Sequence, residues 1–108
     1  TATCVRVPVY ISHSESVNVE IDRELSIEEL RSLLDGSPGI KVIDEVKKSV
    51  YPTPTYTAGK DECFVGRIRK DDTVKYGYNL WIVSDNLRKG AALNAVQIGE
   101  EIIKKKLL

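Results

Sequence analysis

The sequence predicts an α+β fold: a small mixed, largely antiparallel sheet covered by helices, with a long helix at the C-terminus. Three observations predict it. Short runs alternate apolar with polar residues, as half-buried strands do. One internal segment and the chain's last part change to helical spacing, with capping residues in place. The resulting order of strand, helix, three strands and helix suits one sheet with helices laid upon it.

The first strand is expected at Val5, Val7, Val9 and Ile11, which alternate with Arg6, Pro8, Tyr10 and Ser12. Pro8 has no N–H for a ladder, so this strand belongs at an edge or carries a bulge. After the polar patch Ser12 to Ser16, alternation resumes through Val17, Val19 and Ile21. Ser26 and Glu29 have the spacing of a capping box, and Leu25 with Leu30 that of a hydrophobic staple. Ile27, Leu30, Leu33 and Leu34 line one face of the helix that follows, and Gly36-Ser37-Pro38-Gly39 ends it. A short strand is expected at residues 40–43, then a proline-restricted loop over 44–61, a length at which loops are often functional. Strands at 63–69 and 78–84 flank the charged turn Lys70-Asp71-Asp72. The last helix begins near Asp85 or Asn86, both good caps. Its apolar residues form two stripes: Leu87, Ala91, Ala95, Ile98 and Ile102; and Ala92, Val96, Ile103 and Leu107. Two stripes suggest a helix wedged between two bodies, one of them outside this sequence. Glu100 and Glu101 precede Lys104 and Lys105 by four residues, so the lysine run reads as a solvated helix end.

The 108 residues suit one domain with a modest core. Sixteen basic residues balance 16 acidic ones, so no overall field favours nucleic acid or an anionic membrane. No apolar run has the length of a membrane span. The opening Thr1-Ala2-Thr3-Cys4 has neither an initiator Met nor a signal-peptide profile, and reads as a piece of a longer cytoplasmic protein. Cys4 and Cys63 match no metal spacing, so no metal site is expected; two buried thiols are preferred to a disulfide.

Several residues could carry chemistry. His13, the single histidine, lies among serines. Such a residue is usually just solvated, but a histidine titrates near neutrality and can act as a general base. Arg6 sits in an apolar run, where it is either an outward charge on a snorkelling stem or a bidentate clamp for a carboxylate. Seven residues separate the two, which in a regular strand puts them on opposite faces. They can share a site only if the chain bends or bulges near Ser12 to Ser14. The two cysteines read as small core residues; nothing places either at a helix N-terminus as an activated nucleophile. Gly90-Ala91-Ala92 permits close approach to another backbone or a flat ligand, but its spacing is not that of a phosphate loop.

Cys4-Val5-Arg6-Val7-Pro8-Val9 followed by His13-Ser14-Glu15-Ser16-Val17-Asn18-Val19-Glu20 resembles the active-site strand of aspartate-semialdehyde dehydrogenases. Tyr51-Pro52-Thr53-Pro54, Ala58-Gly59-Lys60-Asp61-Glu62 and residues 64–69 resemble the family's next blocks in order. The run from Asn79 to Ile98 resembles its closing strand and helix almost without gaps. The resemblance implies the C-terminal part of such an enzyme: residues 1–85 as part of the catalytic and dimerisation domain, and 86–108 as a helix that packs on an upstream nucleotide-binding domain. It implies NADPH-dependent reduction of aspartyl 4-phosphate to aspartate semialdehyde and phosphate, through a thioacyl intermediate, in lysine, threonine and methionine biosynthesis. Arg6 then matches the substrate-carboxylate clamp, His13 the acid/base residue, and Asn86 a side-chain contact to NADP; homo-oligomers are implied. The glycine loop, the nucleophilic cysteine and the phosphate-binding basic residues lie upstream in relatives. Cys4 and Cys63 do not align with the nucleophile, so the chain by itself is expected to be inactive. The sister family of N-acetyl-glutamyl-phosphate reductases is similar around residues 85–97, and a stand-alone dimerisation module is the reading from a different class.

Overall fold

A computed structural model describes residues 1–107. Four strands form one sheet in the order β1-β4-β3-β2. They are β1 (His13–Glu20), β2 (Ile40–Val42), β3 (Cys63–Asp71) and β4 (Gly77–Ser84). β4 pairs antiparallel with both β1 and β3, and β2 joins β3 in parallel. The sheet is therefore mixed and largely antiparallel, as the alternation predicts.

Helix α1 (Ile27–Asp35) begins at the expected capping box. Ser26 Oγ accepts from Glu29 N at 3.1 Å, and Glu29 Oε2 accepts from Ser26 N at 2.7 Å. These two bonds fix the helix start, and Leu30 then enters a core with Val65, Ile68, Tyr78 and Leu80. Val17 and Val19 of β1 pack against that cluster. Odd-numbered residues of β1, His13 included, thus face the α1 side of the sheet. Tyr78 is 1% exposed, and its hydroxyl is satisfied by donating to Leu25 O at 2.7 Å and accepting from Leu25 N at 2.8 Å.

The opposite face is covered by the loop over 44–61. It contains a 3-10 turn (Val46–Lys48) and a single helical turn, α2 (Pro54–Thr57), which the sequence did not announce. Proline at the first helical position explains α2, because it needs no N–H there and its φ suits the helix. The loop lies close: a Cβ on Gly66 would come within 2.3 Å of Ile43 O and 2.6 Å of Pro52 Cδ. Trp81, paired with Gly66 across the sheet, donates its Nε1–H to Pro52 O at 3.0 Å. Between Gly66 and Arg69 the β3–β4 register shifts, and Arg67 takes φ 51°. Asp44 holds this bulge: its carboxylate accepts from Arg67 N, Ile68 N and the Arg31 guanidinium.

Several expectations are corrected. Residues 5–11 form no strand. They lie exposed ahead of β1, and the ladder starts instead at His13, inside the patch read as polar loop. The reason is local: Ser12 has φ 84°, outside the extended region, and Val9 N donates to Val7 O across Pro8 in a tight turn. Cys4 is exposed and Cys63 only half-buried, both as free thiols, so Cys4 is no core residue.

The last helix does start at Asp85, whose Oδ1 accepts from Leu87 N at 2.8 Å and Arg88 N at 3.2 Å. Its first part (Arg88–Ala92) is wound as a π turn, with Gly90 N bonded to Asp85 O and Ala92 N to Leu87 O, before α3 (Leu93–Lys104) becomes regular. Neither apolar stripe packs on the sheet. Ile102 is half-buried, while Leu87, Ala91, Ala92, Ala95, Val96, Ile98, Ile103 and Leu107 are exposed. At its end Glu101 pairs with both Lys104 and Lys105, which agrees with a solvated terminus.

Candidate active site

The seven-residue spacing of Arg6 and His13 demands a break in the strand, and Ser12 supplies it. Serine adopts a positive φ seldom, and such a conformation persists only where its surroundings hold it. Three residues do so here. Ser12 N donates to Asn86 Oδ1 at 2.8 Å, just past the end of β4. Thr57 Oγ1, at the end of α2, donates to Ser12 Oγ at 2.9 Å. Ser12 Oγ in turn donates to Pro54 O at 3.3 Å. Ser12 is 3% exposed and Thr57 0%, so this chain of hydroxyls is sealed from water.

One residue beyond the kink, His13 opens β1 opposite Ser84 and is exposed. Its imidazole lies on the α1 side of the sheet, whereas Ser12 is buried on the loop side. Arg6 is also exposed and forms no ion pair or hydrogen bond with a described residue. The kink breaks the regular alternation between the two residues, and no hydrogen bond or ion pair joins Arg6 to His13.

Asn86 is half-buried, and its Oδ1 is committed to Ser12 N. Its amide NH2 makes no hydrogen bond to a described residue and so remains available as a donor. The neighbouring Asp85, 3% exposed, ties the same corner to the loop by accepting from Gly59 N at 2.7 Å. That bond, with the Leu87 and Arg88 N–H groups, holds its carboxyl below the usual carboxylate range. Gly59 has φ 79°, which glycine alone adopts at no steric cost. Cys63 is the other group near this end of the sheet. Burial pushes its thiol above the ordinary range, which disfavours the thiolate and agrees with a packing role. Among the described residues, no three His, Cys, Asp or Glu side chains cluster to hold a metal ion, and no helix is long and apolar enough to cross a membrane.

Sequence reasoning selected His13 and Asn86 but missed Ser12 and Thr57, which join the segments carrying them. A buried threonine in a proline-rich loop has no sequence signal of its own. The requirement for a bend near Ser12 was the available clue.

This mixed sheet with its final helix has counterparts among known proteins. Residues 1–89 match the family model for the semialdehyde dehydrogenase dimerisation domain. The chain belongs to that family. It is 51% identical over 108 residues to the aspartate-semialdehyde dehydrogenase of Aquifex aeolicus (strain VF5), a match covering 100% of this chain and 32% of the relative. With the enzyme of the same name from Bacillus subtilis (strain 168) it shares 49% identity over 99% of this chain and 31% of the relative. The chain thus spans about a third of the length of these relatives. The crystal structure of aspartate semialdehyde dehydrogenase II from Vibrio cholerae complexed with ASA is similar over 94% of this chain and 30% of that one, at a TM-score of 0.84 and 43% identity.

Proposed function

We propose that this chain is the C-terminal, substrate-handling part of a cytoplasmic aspartate-semialdehyde dehydrogenase serving lysine, threonine and methionine biosynthesis. The observation that carries this reading is the Ser12 kink, which links Asn86 to the residue before His13 and breaks the strand between His13 and Arg6.

In this reading Arg6 binds the carboxylate of aspartate semialdehyde or aspartyl phosphate through two parallel N–H donors. His13, exposed at the strand start, takes and returns protons at the reacting sulfur and oxygen. Asn86, with Oδ1 engaged, offers its NH2 to an acceptor on the nicotinamide side of NADP. The cofactor supplies the hydride; the nucleophilic cysteine and the nucleotide-binding fold belong to the upstream part. Residues 1–85 associate with a second copy, and residues 86–108 lie against the nucleotide-binding domain. The exposed apolar stripes of the last helix support that placement, since a wet apolar surface costs roughly 25 cal/mol per Å² relative to burial.

The test uses an assembled enzyme, the Aquifex aeolicus relative with its matching third replaced by this chain. Arg6→Ala should raise the KM for aspartate semialdehyde, by about one to two orders of magnitude for each charge-assisted hydrogen bond lost. Arg6→Lys should recover little, because an ammonium cannot reproduce the planar fork. A lysine variant with the unsubstituted KM contradicts the clamp.

A further inference from the structure

We infer that Thr57 is a positioning residue: through the hydroxyl of Ser12 it sets the geometry between the Arg6 segment and the strand that starts at His13. The inference rests on the roles proposed above for Arg6 and His13, although the hydrogen bonds that motivate it stand independently of those roles.

An unbroken strand would put Arg6 and His13 on opposite faces. Their relative placement is therefore set by the breaks between them, the turn at Pro8 and the kink at Ser12, and the kink adjoining His13 is one residue at φ 84°. Among the described residues, two side chains secure it. Asn86 takes the backbone N–H, and Thr57 donates to the hydroxyl. Each hydroxyl has one proton, so the order Thr57 to Ser12 to Pro54 O uses both protons and leaves no buried donor unpaired. The reverse order, Ser12 to Thr57 to Pro54 O, uses the same distances, because each hydroxyl lies 3.3 Å from Pro54 O; in either order Thr57 Oγ1 is bonded to Ser12 Oγ at 2.9 Å. Removing the Thr57 donor leaves Ser12 with one side-chain anchor in a conformation it does not favour. The backbone can then relax toward the extended region, and the segment bearing Arg6 swings relative to β1. Thr57 touches neither reacting group, so it acts only through Ser12.

Thr57→Val keeps the shape and deletes the donor, while Thr57→Ser keeps the donor. In the 108-residue chain, Thr57→Val should speed hydrogen exchange at the Ser12 amide by about tenfold, the scale of one hydrogen bond. The amides of Val17, Leu80 and Val83 should exchange as before, and Thr57→Ser should restore the slow rate at Ser12. In the assembled enzyme, Thr57→Val should lower kcat/KM for aspartate semialdehyde by up to about 100-fold, as a displacement of about 1 Å can. The KM for NADP should stay put and Thr57→Ser should recover turnover. If Thr57→Val does not fold, Ser12→Ala removes the same bond from its other end. Unchanged Ser12 exchange in the variant overturns the inference, as does faster exchange throughout the sheet. Local loss at Ser12 with unaltered kcat/KM overturns the positioning role. If Arg6→Ala and His13→Gln are both silent, it is the catalytic reading that fails, and the exchange data still decide whether Thr57 holds the kink.

Discussion

His13→Gln, introduced into the assembled enzyme, is expected to lower kcat by about 10²–10⁴-fold, the usual contribution of a positioned acid or base. The KM for NADP should change little, because the cofactor contact proposed here falls to Asn86. Glutamine keeps much of the size and hydrogen-bonding capacity of the imidazole but cannot exchange a proton near neutral pH. The pH–rate profile should change with it. His13 is exposed at the first position of an edge strand, so the substitution removes no core contact and stability should hold. Stopped-flow turnover across pH 5–9 (about two units either side of neutrality) makes the comparison. An unchanged kcat and profile would leave His13 as a solvated polar residue.

The second large effect is structural and concerns Asp44. Its side chain is 2% exposed and joins Arg31 of α1, at 2.6 Å, to the two backbone N–H groups of the β3 bulge. Asp44→Ala leaves those donors and a guanidinium without their acceptor, which costs about 3–5 kcal/mol when a buried pair is broken. Domains of this size are stable by only about 5–15 kcal/mol. The melting temperature should therefore fall by more than about 10 °C. Asp44→Asn should recover part of the loss, since its Oδ1 still accepts while the charge is gone. A melt of Asp44→Ala within about 2 °C of the unsubstituted chain would mean that the bulge is held by packing alone.

These two residues mark what was legible in the sequence. The capping box at Ser26, the helix start at Asp85 and the strands around Val17, Val65 and Leu80 follow from local rules of spacing and capping, so they could be read from the chain alone. Arg6 and His13 stand out in the sequence by residue type, and their odd spacing requires a bend for any shared site; the bend is present at Ser12. The alternating residues 5–11 misled because alternation reports a pattern, while a strand also needs a partner ladder; the kink at Ser12 and the turn at Pro8 withhold it. Asp44 and Thr57 could not be read at all. Their meaning lies in partners 24 residues away at Ile68 and 45 away at Ser12, contacts that only the folded topology creates.

The central claim is that this chain handles substrate for an active site completed by an upstream nucleotide-binding domain. Replacing the matching third of the Aquifex aeolicus relative with this chain tests it most directly. The assembled protein should reduce NADP when given both phosphate and aspartate semialdehyde, and the 108-residue chain alone should give no such signal. A chimera that folds, binds NADP and carries the upstream cysteine, yet shows no phosphate-dependent reduction with aspartate semialdehyde, would contradict it.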